Sequence, residues 1–517
     1  MIFRSLNFKA SLKLNLFSNL FGSLWTAALG ILFVPIYLRY VGIESYGIIG
    51  FFTSLQTFFY ILDFGLSPTF NREVAQFSAL NSAEAGKKIV TLTKTLQRVN
   101  WLISVALTVI LLLLSPLLAS YWIRPETLSV TTVTQCLIIM SIAFGLQFPM
   151  SLYSGGLLGL QQQVTLNIIT IIFGTLRSFG AFLMLAYISP TIQAFLIWQA
   201  VIALLQTCAT ATAFYKKLPY RDPDSKFEFG LLKRIWRFAA GNTGISVVGL
   251  ILAQSDKIIL SKLISLEEFG YYSLTTTVAS LILMMLASSV QKVSYPQFSA
   301  LTAAGDEANL IYAYHKNSQL VSVLTIPTTL VFVFFSKEIL FLWTRNETIA
   351  EKAWILMTLY SIGMGINCLM WIPNGMQLAH GWTKLTFMKD LVGVFIFIPL
   401  LIFLVLHYGA VGGATGWIIL NSVGFVAYTY FMHRRILRNE LANWYIWDIG
   451  SPFVSVLAVV TAAKLIAGEN HSLGSAFILL AIVSICAFTA AGLSSYMVRD
   501  FIFGYVNKFF VLTRRTS

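Results

Sequence analysis

Charge is what this sequence has least of. Asp, Glu, Lys and Arg make up 11% of its 517 residues, against 57% hydrophobic, and the mean hydropathy is +0.77. A soluble domain is roughly a quarter charged, so a soluble globular protein is excluded and a chain that crosses a membrane many times is indicated. Cysteine is equally scarce. Cys136, Cys208, Cys368 and Cys486 all fall in apolar stretches, with no C-x-x-C and no Cys/His cluster. That excludes a disulfide framework and a zinc site, and each cysteine reads as a small buried hydrophobe. The five histidines (His315, His380, His407, His433 and His471) stand at the ends of apolar runs or in loops, with no H-E-x-x-H. No G-x-x-x-x-G-K-[ST] loop is present either, so the chain hydrolyses no nucleotide by itself. We expect no catalytic residue, no metal and no cofactor, and any work must draw on an ion gradient or on the substrate's own gradient.

What is there is a series of apolar runs of about 20 residues, the length a membrane helix needs. The runs predict about fourteen spans, at roughly 14–38, 46–66, 96–120, 132–155, 166–188, 191–214, 238–260, 271–290, 318–342, 353–375, 386–406, 411–432, 449–467 and 475–497. The first continues too far to be a cleaved signal sequence and reads as an uncut helix. The fold class is therefore an all-α polytopic membrane protein.

The net charge of +14 first suggests nucleic acid, but in a membrane chain it is a topological signal. With the N-terminus inside, 26 of the 35 Lys and Arg lie in inner loops and tails, and the outer side holds only Arg39, Arg124, Lys262, Lys337, Arg345, Lys352 and Lys464. That asymmetry places both termini in the cytoplasm. It makes anionic membrane lipids a partner and leaves no role for nucleic acid.

The chain is organised around Tyr215–Arg237, a polar segment carrying Lys216, Lys217, Arg221, Lys226, Lys233, Arg234 and Arg237. The two sides of it resemble each other. QFSAL at Gln76–Leu80 recurs at Gln297–Leu301, and Ser115, Trp122, Arg124, Glu126 and Thr127 recur at the same offset as Ser336, Trp343, Arg345, Glu347 and Thr348. Arg39–Ile48 likewise answers Lys262–Tyr271, and Lys216-Lys217 answers Arg434-Arg435. Each copy starts inside and holds six spans, so the copies are parallel, related by a pseudo-two-fold axis normal to the membrane. The expected domains are an N-terminal six-helix lobe (1–214), a basic cytoplasmic linker (215–237), a C-terminal six-helix lobe (238–435) and an accessory pair of helices with the tail (436–517). Two such lobes would face a central cavity and rock about it.

Polar groups at membrane depth are expensive and mark the candidate site. Arg177 and Lys257 are the candidate cavity cations, facing an anionic substrate; for Arg177 the alternative is snorkelling or pairing with a carboxylate such as Asp63. Asp63, Asp256 and Asp390 are the candidate ion-coupling carboxylates, although helix ends near water are also cheap places for a carboxylate. Asn19, Gln56, Asn242, Gln254, Asn367 and Asn421 form a weaker set of cavity-lining polar residues, for which hydrogen bonding between helices is the plainer explanation.

Two segments carry a family resemblance: FVPIYLRYVGIESYG at Phe33–Gly47 and LDFGLSPTFNREVA at Leu62–Ala75. They resemble the N-terminal signature of the bacterial polysaccharide flippases, the O-antigen and capsule repeat-unit exporters. Those share a superfamily with the multidrug extruders and the lipid II flippases. The resemblance implies a transporter of the cytoplasmic membrane, not an enzyme. Its substrate would be an undecaprenyl-pyrophosphate-linked oligosaccharide repeat unit, flipped to the outer leaflet by alternating access with ion coupling. Polysaccharide polymerase or export machinery would be a further partner. The resemblance also implies a cationic cavity, a role Arg177 and Lys257 would fill, although Arg177 and Asp390 lie outside the signature. A cationic interior suits a pyrophosphate better than the cationic drugs of multidrug extruders. A multidrug extruder and a lipid II flippase stand as alternatives. A glycosyltransferase or polymerase is disfavoured, because its catalytic residues need a large outer loop and the outer loops here run to about ten residues.

Overall fold

A computed structural model of the chain describes residues 18, 21–80, 82–218, 227–467 and 473–500, and among these there are helices and no strands. Ten of the helices are long and apolar enough to cross a membrane, or eleven if a bent pair is one span. That pair is α1 (Phe21–Leu32) and α2 (Val34–Ile61), bent by 48° where Pro35 opens the second helix. It carries the described part of the first expected span and the second as far as Ile61, beyond which the chain turns at 62–65. The expected 386–406 and 411–432 share one element, α15 (Thr383–Arg435), broken inside at Gly409, whose φ is 55°. The expected 238–260 lies on α9 (Phe229–Leu263), of which the side chains from 234 to 246 fall outside the described residues.

Helix starts follow from local capping chemistry. Ser82, Ser129, Thr191 and Asn346 each accept the backbone N–H three residues on, opening α4 (Ala83–Leu117), α5 (Val130–Gln147), α8 (Ile192–Lys217) and α13 (Glu347–Leu369). Asp306 does the same for α11 (Glu307–Phe334). Outside the membrane segments, hydrogen bonds from Asn309 hold the Asp306 carboxyl below its usual pKa. Pro116, Pro296, Pro327 and Pro399 sit inside helices, as membrane helices tolerate. Pro116 is followed by a π segment, Leu118–Trp122.

The chain packs as two compact units, Met1–Gly270 and Tyr271–Ser517. The division falls after α9, because α9 packs on α2, α3 (Leu66–Ala79) and α4. In the first unit a core of Leu66, Phe70, Val74, Ile89, Leu92, Leu157 and Phe214 joins α3, α4, α8 and the short α6 (Met150–Gly159). In the second, Ile326, Leu330, Val331 and Phe335 at the end of α11 pack against Val456 and Val460 of α17 (Ser451–Ala467). Val483, Ala487 and Ala491 of α18 (Leu473–Ser494) complete that core. The accessory helices are therefore built onto α11.

Each unit contains the same broken helix. After α6, Gln161 has φ 58° while Gln161 N and Gln162 N donate to Leu158 O and Leu157 O. After α14 (Trp371–Ala379), Gly381 has φ 66°, with Gly381 N and Trp382 N donating to Leu378 O and Gln377 O. The other breaks differ. Asp63–Gly65 separates α2 from α3 through two left-handed residues, Phe64 and Gly65, whereas α10 (Leu266–Ala304) runs unbroken.

The closest approach to a neighbouring helix's backbone in the first unit is at two glycines that answer each other in the repeated turn. A Cβ on Gly47 would lie 2.5 Å from Leu266 O, and one on Gly270 would lie 2.3 Å from Ile43 O. Both obstacles are backbone, so the helices must part. Gly47→Ala and Gly270→Ala should each cost about 1–3 kcal/mol, as overpacking does, read as a lower melting temperature in detergent. Gly474→Ala, with nothing within 4 Å, should leave that temperature unchanged. Equal behaviour of all three would refute the close contact.

Candidate functional site

In the first unit the signature segments turn out to be a capping system. Asp63 is buried, and its carboxylate accepts Ser67 N at 2.8 Å and Asn100 Nδ2 at 3.4 Å. It thereby satisfies an N–H in the first turn of α3 that no helical carbonyl can reach. Glu44, also buried, accepts the backbone N–H groups of Glu126 (2.6 Å), Thr127 (3.0 Å) and Leu128 (3.2 Å), together with the Thr127 hydroxyl. The same loop meets the hairpin between α9 and α10. Arg124 donates to Leu263 O at 3.1 Å, its own carbonyl accepts Leu266 N at 2.9 Å, and the Lys262 ammonium lies 4.6 Å from the Trp122 ring. The Glu44, Arg124 and Lys262 contacts belong to one seam with Gly47 and Gly270.

Arg177 lies half-buried on α7 (Gln163–Leu183), and its guanidinium donates to Gln206 Oε1 on α8 at 2.9 Å. The next residue's carbonyl, Ser178 O, accepts the Tyr37 hydroxyl of α2 at 2.9 Å. A guanidinium has five N–H donors, so a planar anion is the chemistry this group suits. On α9, Asp256 is buried, Lys257 is half-buried, and Gln254 Oε1 is buried with no hydrogen-bond partner among the described residues. Gln56 donates to Gln147 Oε1 at 2.7 Å, joining α2 to α5. Asn19 and the Asn242 side chain lie outside the described residues.

In the second unit, Asp390 is buried and pairs with its neighbour Lys389 at 3.2 Å. Asn367 donates to Asn421 Oδ1 at 2.7 Å and accepts Trp371 Nε1 at 3.2 Å, bracing α13 against α15. For Gln56, Asn367 and Asn421, hydrogen bonding between helices is what the geometry contains.

A buried polar cluster in this unit escaped the sequence reading. His315 on α11 places Nδ1 2.6 Å from Asp448 Oδ2 and Nε2 3.1 Å from Glu440 Oε2. Gln319 donates to Asp448 Oδ1 at 2.9 Å and accepts Met497 N at 3.0 Å. The sequence treats 433–448 as a loop, where carboxylates attract no notice. The chain is already helical at Leu441, and Asp448 sits inside a π segment, Trp444–Gly450, one turn into the helix.

The two roles open to Asp63 are separable. Asn caps a helix about as well as Asp, and Ala costs about 0.5–2 kcal/mol at such positions. Asp63→Asn should therefore keep both the melting temperature and the ion dependence of transport, while Asp63→Ala should lower the melting temperature. Loss of ion dependence in a stable Asp63→Asn protein would restore it as a coupling group.

Comparison with known proteins agrees with this geometry. Residues 12–302 match the family described as polysaccharide biosynthesis protein. A putative O-antigen transporter of Shigella flexneri is 23% identical over 402 residues, covering 77% of this chain and 92% of its own. Among solved structures, the lipid II flippase MurJ in an inward closed conformation superposes with a TM-score of 0.73 at 16% identity, covering 95% of this chain and 99% of its own. An inward-facing multidrug resistance transporter of the MATE family, in the MOP superfamily, gives a TM-score of 0.61 at 15% identity, over 81% and 96%. The chain thus has the fold of these transporters, and with more than half of its length matched it belongs to the polysaccharide biosynthesis protein family.

Proposed function

We propose that the chain flips an undecaprenyl-pyrophosphate-linked oligosaccharide repeat unit from the cytoplasmic to the outer leaflet of the bacterial inner membrane. It does so by alternating access, with coupling to an ion gradient, and as a transporter rather than an enzyme. The observation that carries this reading is the Arg177 guanidinium, held by Gln206 inside an apolar helix of a polysaccharide-biosynthesis chain. A cation at that depth is costly unless it has a task, and a pyrophosphate offers the charge and the paired oxygens that a guanidinium binds best. Lys257 is the second cation of this reading, and Asp256 and Asp390 remain its coupling carboxylates.

The broken helix found once in each unit supports a duplicated architecture of fourteen spans: lobes at 1–214 and 238–435, the linker 215–237, and an accessory pair in 436–517. Both termini are cytoplasmic in this arrangement. Anionic membrane lipids are a second partner. A groove of about 580 Å³ is lined by Lys94, Gln97, Arg98 and Trp101, with the apolar Leu102 and Val105 below, which suits a phosphate headgroup over an acyl chain. Polymerase or export machinery of the same pathway completes the partners.

Deleting the gene should make one polyprenyl-pyrophosphate-linked repeat unit accumulate in lipid extracts, seen by mass spectrometry, while the surface polymer disappears. An unchanged pool with an intact surface would contradict the proposal. Arg177→Ala should restore export about ten-fold or more less well than the natural chain, as loss of a charge-assisted hydrogen bond of about 1.5–3 kcal/mol implies. Arg177→Lys should fall between, and full rescue by Arg177→Ala would remove Arg177 from the site. The buried Asp256 favours one second reading, a cation-coupled multidrug extruder, which a flat dye-efflux response on overexpression would eliminate. A lipid II flippase would be essential for growth, so a viable deletion excludes it.

A further inference from the structure

His315 is hydrogen-bonded at both ring nitrogens to carboxylate oxygens, 2.6 Å to Asp448 and 3.1 Å to Glu440. An ionised carboxylate only accepts, and a neutral imidazole donates from one nitrogen alone. The arrangement is complete only when the triad carries one proton beyond a neutral histidine between two carboxylates. Without that proton, a ring lone pair faces a carboxylate oxygen in a poorly screened interior. His433, 119 residues from its partner Tyr314, shows the contrast. Its Nδ1 donates to Thr429 O at 2.8 Å and its Nε2 can accept the Tyr314 hydroxyl at 2.9 Å, a set that a neutral ring satisfies.

The triad is also placed to exchange its proton from one side. A cavity of about 720 Å³ is lined by His315, Glu440 and Asp448, with Tyr312, Tyr496 and Arg499 at its walls. The Glu440 side chain is 20% exposed and the Asp448 side chain 0%. Water therefore meets the glutamate end while the aspartate end is sealed. Among the described residues, the other titratable neighbours include Tyr314 and His433, which bond each other, Tyr445, which bonds the Thr429 hydroxyl, Tyr496, which faces Asp448 and Glu440, and Arg499, which lies 3.5 Å from Asp500.

Three elements converge on this one proton. His315 and Gln319 belong to α11, Glu440 to the turn after α15, and Asp448 to the π segment that opens the first accessory helix. Gln319 also takes Met497 N from beyond α18. We propose that His315, Glu440 and Asp448 form a proton-binding site, open to water through Glu440, whose occupancy controls the docking of the accessory helices on α11. Binding takes a proton from cavity water, and in a coupled cycle release gives it up through Glu440 only after the cavity has changed the side it faces; no other bond is made or broken. Within the ion-coupled transport proposed above, on which its role in the cycle rests, the coupling ion at this site is a proton.

Two substrate-free measurements on the full-length protein in lipid nanodiscs test the site. In ¹⁵N-histidine NMR, the signal lost in His315→Gln should show both ring nitrogens protonated at pH 7. In Glu440→Gln, that ring should lose its proton at a pH at least one unit lower. Hydrogen exchange of residues 451–467 should accelerate at the pH where the ring deprotonates, and that pH should move by the same amount in Glu440→Gln. A neutral His315 ring at pH 7 would overturn the proposal, as would exchange that ignores the ring's titration; the latter leaves a static ion pair only. If the purified protein moves no lipid-linked glycan while both measurements hold, the substrate reading fails and the proton site stands.

Discussion

A membrane's hydrocarbon offers no hydrogen-bond partner, and this structure depends on that constraint. Apolar side chains gain little from leaving lipid for protein, so they cannot by themselves choose which helices meet. Polar side chains can. Gln56 with Gln147, Arg177 with Gln206, Asn367 with Asn421, and His315 with Asp448 each bridge two elements of one unit. Close backbone approach adds to this, as at Gly47 and Gly270.

The same constraint explains how much was legible in the sequence. Helix positions largely were, because each apolar run must satisfy its own backbone; the expected segments lie mostly on helix where they are described, but 46–66 runs across the Asp63–Gly65 turn and 132–155 and 353–375 across short breaks at 148–149 and 370. The turns at Gln161 and Gly381 fall in gaps between the expected spans; Gly381 announces its left-handed backbone, whereas Gln161 adopts the same region with no warning in the sequence. The role of Asp63 was half legible. Its depth was visible, but the Ser67 amide it caps could be seen only once Phe64 and Gly65 had turned the chain. Glu440 and Asp448 were not legible at all. A π segment carries the helix below the expected start at 449, turning an apparent loop carboxylate into a buried one.

The two units use charge differently. In the first, the cation Arg177 sits among apolar helices, its guanidinium held by the Gln206 amide of α8, a group whose planar fork of donors suits an anion. In the second, the buried charges close on one another around His315. One unit is thus suited to meeting an anionic headgroup and the other to holding an ion. That division of labour is what the proposed ion-coupled flippase would require.

The central claim is movement of a lipid-linked glycan between leaflets. It is tested most directly by reconstituting the purified protein in liposomes loaded with a polyprenyl-pyrophosphate-linked repeat unit. The fraction open to a membrane-impermeant glycosidase is then followed with time. The account predicts that the protected pool becomes cleavable with the natural protein and far more slowly with Arg177→Ala. A protected pool that stays protected, while the same vesicles sustain an imposed pH gradient, would contradict it.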